Sequence, residues 1–162
     1  MTGRPKLKIR LGWALAAFLL AAGTLSADEE LLRPQFRYAA GTENLPEECE
    51  GSLELSESGM NFRCLGEVVS IPFAAITRMQ YRSDISPKIR RLKVKWKIRP
   101  TYSVSVPLFH PKQHRYFAVA YRVDSSTHVL VLRVRPGVMR PYLAEIDLKA
   151  NRRVEVEHIE EY

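Results

Sequence analysis

The sequence is poor in the residues and motifs on which catalytic and metal sites are built. It has two cysteines and four histidines among 162 residues. It contains no Cys-x-x-Cys pair, no glycine-rich phosphate loop, no dinucleotide-binding fingerprint and no nucleophile elbow around Ser125 and Ser126. The carboxylates, which are concentrated in residues 28–57, show no spacing typical of acid–base catalysis. These absences predict a protein that is not an enzyme and that uses no cofactor.

The histidines do not form a metal-binding pattern. His110 and His114 have the spacing of a helical metal pair. However, Pro111 disfavours a helix between them, the glutamate typical of such pairs is missing, and no third ligand is close in the sequence. His128 falls in a predicted turn, where we expect it to be solvated. We therefore predict no metal site.

The sequence also lacks an apolar run of the roughly 20 residues that a membrane-spanning helix needs. The apolar run 11–25 follows several basic residues and precedes Ser26, Ala27 and an acidic stretch. This order is typical of a secretory signal peptide, so we predict that residues 1–27 are a signal peptide, cleaved after Ala27. An envelope structural protein, anchored by an uncleaved N-terminal helix, is the alternative. Either way the protein is predicted to be exported to the periplasm or the outside of the cell.

Charge is distributed unevenly along the chain. The formal net charge is +7, but four of the 25 basic residues lie in the leader, so the remaining 21 face 18 acidic residues. Segment 28–57 holds nine acidic residues, and segment 78–99 holds nine basic ones. Residues 28–48 are acidic and interrupted by prolines, which predicts a poorly ordered lead-in that Phe36 and Tyr38 attach to the domain.

The two cysteines are predicted to form a disulfide, as pairs in an oxidising compartment usually do. Cys49 and Cys64 flank an alternating apolar and polar pattern with a Ser-Glu-Ser-Gly turn, in which Gly59 is free to adopt a positive φ. We predict a hairpin in which Leu53 faces Met60 and Cys49 lies opposite Cys64. A cross-strand disulfide would close it.

The segments that follow the first hairpin are predicted as strands with short connections. Residues 68–81 form two strands joined by a helical turn at 74–76. Another alternating strand is predicted at 102–106, and a loop at 107–114.

Residues 88–99 alternate strictly between apolar and basic side chains. This period predicts a half-buried strand with a cationic outer face. The candidate binding residues of this stretch are Arg90, Arg91, Lys93, Lys95, Lys97 and Arg99.

A row of cations on one strand face indicates an anionic partner, which is a lipid surface, a polysaccharide or an acidic protein. Nucleic acid is disfavoured, because aromatic side chains do not interleave with the charges. Three interpretations need no partner. The face is solvated, or its lysines protect an edge strand from pairing, or it docks the acidic lead-in of its own chain.

Residues 116–136 predict a second hairpin, with a turn at 124–127. Pairing Tyr121 with Leu130 and Phe117 with Val134 brings the apolar faces of both strands to the same side.

A helix follows the second hairpin. Its apolar stripe contains Met139, Leu143 and Ile146, Pro141 suits its first turn, and Asn151 is its expected end. Residues 156–162 are predicted to be a polar tail. Residues 49–155 are therefore predicted to form a mainly β domain, a partly open antiparallel barrel of about seven strands capped by a C-terminal helix.

Short motifs in this domain resemble those of the pleckstrin-homology-like (PH-like) domains of secreted bacterial proteins. The residues that carry the resemblance are Cys49-x-Gly51-x-Leu53, Gly59-Met60-x-Phe62, Val69-Ser70-Ile71-Pro72-Phe73 with Ile76-Thr77, Arg115-Tyr116-Phe117 and Tyr142-Leu143-x-x-Ile146. The resemblance covers residues 49–155. It implies a seven-stranded barrel closed by a helix, and a binding or scaffolding module without catalysis.

The resemblance does not carry over a ligand, since a fold hosts many functions. Lipid-binding relatives in eukaryotes use a basic loop between their first two strands. The expected counterpart here, residues 56–59, is acidic. This departure disfavours a transfer of phosphoinositide binding to this chain.

Overall fold

The computed structural model describes residues 35–100 and 114–157, where the chain is mainly β. The strands are β1 Phe36–Gly41, β2 Glu50–Leu55, β3 Gly59–Cys64, β4 Glu67–Pro72, β5 Ile76–Arg82, β6 Arg115–Val123, β7 Ser126–Val134 and β8 Glu155–Val156. They form one sheet in the order β4-β3-β2-β1-β7-β6-β5-β8. All neighbours are antiparallel except β5 and β8, which are parallel.

The mainly β fold with a C-terminal helix is confirmed. The expected antiparallel barrel of seven strands is instead an eight-stranded mixed sheet, which is not closed within the described ranges. The predicted signal peptide 1–27, the strand at 102–106 and His110 lie outside the described residues.

The segment expected to be a poorly ordered lead-in contributes β1 to the middle of the sheet, between β2 and β7. Phe36 and Tyr38 are buried in the main hydrophobic core, which the C-terminal helix also enters. Because they are two residues apart, both side chains point to the same face of a strand. The acidic neighbours that suggested disorder are ion-paired, because Arg37 contacts both Glu48 and Glu50. The folded domain therefore begins before Cys49.

Both predicted hairpins exist, but each register differs from the prediction by two residues. Leu53 pairs with Phe62, and Tyr121 pairs with His128. The second turn is the dipeptide Asp124-Ser125, whose φ angles of 46° and 69° are those of a tight two-residue hairpin turn. A shift of two residues preserves the side-chain faces, which is why the predicted core faces are nevertheless correct.

Gly59 does not adopt a positive φ, contrary to the prediction. It is the first residue of β3, and a Cβ placed on it would lie 2.5 Å from the carbonyl oxygen of Ile71. The glycine is therefore required by the close approach of β4 and not by the turn. The predicted corner after β4 is confirmed as the 3-10 helix Phe73–Ala75.

The C-terminal helix, α2 Pro136–Ala150, packs against one face of the sheet. Its buried residues are Met139, Leu143 and Ile146, and it ends at Asn151 in the left-handed conformation, with φ 45°. Both features were expected. Pro141, however, lies inside the helix, because the helix begins one turn earlier than predicted, at Pro136. The expected tail begins with β8, which pairs with β5.

The opposite face of the sheet carries a second, smaller core. Its buried residues are Ala40, Ile85, Ile89, Ala118, Ala120, Val129 and Val131. It is covered by the basic stretch, which is not a strand as predicted. After the short helix α1 Pro87–Arg90, residues 91–100 are irregular and make one isolated bridge, between Ile98 and Gly41.

The alternation of apolar and basic side chains along the basic stretch is correctly predicted, although the stretch does not pair with another strand. Leu92, Val94, Trp96 and Ile98 are partly buried against the second core. The backbone satisfies itself locally, because Val94 N–H donates to Leu92 O at 3.0 Å and Trp96 N–H donates to Val94 O at 3.1 Å. An extended chain can thus present alternate faces without a neighbouring strand.

Candidate functional site

The outward side chains of the basic stretch form what we call the cationic row: Arg91, Lys93, Lys95, Lys97 and Arg99. All five are exposed. Their positions are set by the apolar residues between them, which pack on the second core. Lys97 is also held through its backbone, since its N–H donates to Gly41 O at 2.9 Å. The backbone that carries these five charges is therefore held against the sheet.

The beginning of the stretch is anchored by a buried polar group. Ser86 caps α1, and its hydroxyl donates to the side-chain carbonyl of the buried Gln80. The Gln80 amide in turn donates to Glu155 Oε2 at 2.7 Å. Ile89, fully buried in the second core, fixes the same turn by packing. The short helix α1, which directly precedes the cationic row, is thus fixed to β5 through Ser86 and Gln80.

Most other cations of the domain have carboxylate partners. The ion pairs include Arg63–Glu54, Arg78–Glu155, Arg82–Asp84, Arg115–Glu157 and Lys149–Glu145. Within residues 35–100 and 114–157, no member of the cationic row has an ion-pair partner. Arg90, the remaining predicted binding residue, is half-buried and interacts within the protein, so it stands apart from the row.

Two of the interpretations without a partner can now be judged. The row does not protect a sheet edge, because it lies on an irregular segment across the face of the sheet. Nor does the described part of the acidic lead-in cover it. Glu48 pairs with Arg37 and Arg133, and Glu43 contacts His128.

A cleft with a volume of ≈ 480 Å³ lies between the cationic row and the β6–β7 turn. Its lining residues are Thr42, Lys93, Val94, Lys95, Lys97, Ser125, Ser126, Thr127 and His128. None of them is acidic. Three lysines thus face Ser125 of the turn and the first residues of β7, which together bear three hydroxyl groups and an imidazole.

Behind the cleft, Glu43 is the centre of a polar network. Its carboxylate oxygen Oε1 accepts hydrogen bonds from Tyr121 OH at 2.7 Å and Thr42 Oγ1 at 2.9 Å, and it lies 3.1 Å from His128 Nδ1. The Tyr121 and His128 rings stack, with centroids 5.4 Å apart. The imidazole is therefore oriented by two partners, whereas the sequence predicted a solvated side chain.

The two tyrosines at this network are held in their neutral form. Burial, which penalises the phenolate, raises the pKa of Tyr121 strongly, and the hydrogen bond to Glu43 adds to the effect. Burial also raises the pKa of Tyr38, with a further contribution from the charge of Glu43. Tyr38 OH donates to the backbone carbonyl of Glu43 at 3.2 Å. Both hydroxyls are therefore donors that fix the position of Glu43.

Sequence reasoning missed Thr42, Glu43 and Tyr121 as members of one site. Thr42 and Glu43 directly follow β1, a strand that was assigned to a poorly ordered segment. Their neighbours Tyr121 and His128 are far away in the sequence and meet them only because β1 pairs with β7. No local pattern carries that signal.

The predicted disulfide between Cys49 and Cys64 is present, with both residues buried and their Cα atoms 6.1 Å apart. It is consistent with an oxidising compartment. Among the described helices, none is long and apolar enough to cross a membrane. Nor do residues 35–100 and 114–157 contain a group of three His, Cys, Asp or Glu side chains that could hold a metal ion.

No protein-family model matches this chain, and no similar sequence is found among curated proteins. The geometry of the site is therefore the basis for assigning a function.

Proposed function

We propose that the protein is an exported, non-catalytic binding module of the PH-like type, and that its cationic row contacts an anionic partner. The observation that carries this proposal is the contrast between the row and the other cations. Five exposed charges lie side by side without a carboxylate, on a segment whose alternate side chains are packed on the sheet. Such a concentration of one charge attracts anions and accelerates their association.

Two features support the PH-like assignment. Strands β1 to β7 are antiparallel wherever two of them are neighbours in the sheet, and the amphipathic helix α2 follows the last of them and covers one face. The first two strands are joined by residues 42–49 and not by residues 56–59, as the sequence suggested. That connection carries Glu43, Glu47 and Glu48, so the first loop is again acidic. The basic surface lies instead between β5 and β6.

Export is supported by two independent features. The leader has the charge and hydropathy order of a signal peptide. The disulfide joins two buried cysteines, which is the usual outcome in an oxidising compartment. An exported protein with a cationic surface meets the anionic lipids of the envelope, and acidic polysaccharides or proteins offer the same charge.

The test is co-sedimentation of the purified mature chain, residues 28–162, with vesicles of phosphatidylcholine alone or with 30% phosphatidylglycerol, a composition of roughly physiological charge density. We expect binding only to the anionic vesicles, with a strong loss at high salt. The variant Lys93→Gln/Lys95→Gln/Lys97→Gln should lose about 3 kcal/mol, or roughly a hundredfold in affinity, at about 1 kcal/mol per cation near the surface.

A matched control separates the row from net charge. Arg63→Gln/Arg135→Gln/Arg152→Gln removes the same charge from exposed positions elsewhere. It should change vesicle affinity by less than about threefold, because these three arginines do not belong to the row that is proposed to face the membrane. Equal losses in the two variants would refute a localised site. Absence of binding to both vesicles would refute a lipid partner and leave acidic polysaccharide or protein.

A further inference from the structure

The cleft beside the cationic row has a composition that a charged surface alone does not require. One wall carries Lys93, Lys95 and Lys97, and the other is the β6–β7 turn with Ser125 and Ser126, continued by Thr127. We propose that this cleft binds a single tetrahedral oxyanion, the phosphate or sulfate group of a ligand. The proposal rests on the proposed function and makes it specific, because it replaces a diffuse anionic surface by one compact group.

The size of the cleft fits a small ligand that carries such a group. Its volume of ≈ 480 Å³ falls within the roughly 300–1,000 Å³ that is typical of small-molecule sites. The walls belong to different parts of the chain, the segment after α1 and the hairpin turn, and both are attached to the sheet. Arg91 and Arg99 do not line the cleft. The cleft is therefore a distinct part of the basic surface.

The polar groups of the cleft are those that bind oxyanions. Lysine ammonium groups bind phosphate as point charges, and hydroxyl groups donate to its oxygens. Within the part of the chain that the structure describes, the side chains of Ser125, Ser126 and Thr127 make no hydrogen bond, and Lys93, Lys95 and Lys97 make no ion pair. A ligand would therefore displace no internal partner when it binds these groups.

Two carboxylates lie near the cleft, Glu43 behind it and the exposed Asp124 in the β6–β7 turn, and neither of them lines it. Glu43 accepts hydrogen bonds from Tyr121 and Thr42 and contacts His128 Nδ1, and it does not line the cleft. Because Nδ1 is engaged by Glu43, Nε2 is the ring nitrogen of His128 that is left for a ligand. The network thus engages the Glu43 carboxylate with internal donors and orients one wall of the cleft.

The test is a ¹H–¹⁵N NMR titration of the full chain with sodium phosphate, with sodium chloride at equal ionic strength as the reference. We expect saturable shifts of the amides of residues 93–97 and 125–128 with phosphate and not with chloride. Lys95→Gln, at an exposed position, should weaken phosphate binding about tenfold. Ser126→Ala/Thr127→Val should weaken it several-fold without a change of charge.

The control Arg63→Gln/Arg135→Gln removes two exposed charges that belong neither to the cationic row nor to the cleft, and it should leave phosphate affinity within about twofold. The proposal is overturned if chloride shifts the same amides, if the control weakens phosphate binding as much as Lys95→Gln does, or if neither cleft variant has an effect. The substituted positions are exposed except Thr127, which is half-buried in β7. Unchanged amide spectra elsewhere will verify that each variant is folded.

A second arm identifies the source of the oxyanion. The same amides are monitored with phosphatidylcholine vesicles that contain 20% phosphatidic acid, whose headgroup is a phosphate monoester. A cleft response to these vesicles assigns the site to a lipid headgroup, and a response to free phosphate without vesicle binding assigns it to a soluble ligand. Vesicle binding that leaves the cleft amides unmoved, together with no response to phosphate, rejects the cleft but leaves the proposed function intact.

Discussion

Opening the Cys49–Cys64 disulfide should destabilise the protein by an amount that follows from its position in the fold. The bond closes a loop with a sequence separation of 15 residues. In the chain-entropy model a loop of this length contributes about 3 kcal/mol by restricting the unfolded chain. Because Tyr38 N–H donates to Cys49 O at 2.9 Å, the bond also ties the edge of β1 to β3. Reduction should therefore lower the melting temperature by roughly 10 °C.

The assay is urea unfolding of the oxidised protein, the reduced protein and Cys49→Ala/Cys64→Ala. Reduction isolates the cross-link, since both sulfur atoms stay in the core, whereas the double variant also removes buried atoms. We expect the reduced protein to lose about 3 kcal/mol and the double variant somewhat more. Intact mass after alkylation will establish the thiol state of each sample. Equal unfolding midpoints for the oxidised and reduced proteins would refute the reasoning.

Three further predictions concern the second core, the tyrosines and the helix. Ile89→Ala should lower the free energy of unfolding by about 2–5 kcal/mol, because Ile89 is fully buried beneath the basic stretch. The same substitution should weaken anion binding. Urea unfolding measures the first effect, and vesicle binding of the same sample measures the second. The contribution of Tyr38 and Tyr121 to stability should be constant below about pH 10 and fall as the pH rises above it, because their pKa values are raised in the folded state, which therefore retains protons that the unfolded chain releases. Urea unfolding at several alkaline pH values measures this slope; Tyr121→Phe should reduce it, and an unchanged slope would contradict the prediction. Pro141→Ala should stabilise the protein, by up to about 3 kcal/mol, because Pro141 lies exposed inside α2; thermal unfolding should show an increased midpoint, and an unchanged or lower midpoint would contradict this reasoning.

In the two hairpins, the local sequence pattern predicts the buried faces of the strands but not their pairing register. Period-two alternation correctly assigned the buried faces of β2, β3, β6 and β7. The pairing register depends in addition on the length of the turn, and the tight Asp124-Ser125 turn moved it by two residues. Neither residue is glycine, so the turn is not marked by the residue type that most often adopts positive φ. The faces were predictable, while the partners across the strands were not.

The helix was predictable because its signals are local. Met139, Leu143 and Ile146 are spaced by the helical period, and Asn151 has the side chain most compatible, after glycine, with a left-handed helix end. Two prolines, Pro136 and Pro141, competed for the first turn. The helix begins at Pro136, directly after β7, and the local pattern does not distinguish the two prolines.

The candidate site was predictable only in part. Alternation along residues 88–99 identified the cations and the side on which they lie. Their support is not a neighbouring strand but the small side chains of Ala118 and Ala120, over which the irregular segment packs. The second wall of the cleft, and the Glu43 network behind it, depend on the pairing of β1 with β7 and β6 with β7.

The sequence by itself determined the mainly β character, the disulfide pair, the helix with its end, and the alternation that exposes the cationic row, because each of these follows from spacing along a few neighbouring residues. Only the tertiary structure decided the place of β1 at the centre of the sheet, the open eight-stranded arrangement and the cleft between Lys95 and the β6–β7 turn. These features join residues that are many positions apart, and contacts at such separation are decided by the packing of whole strands.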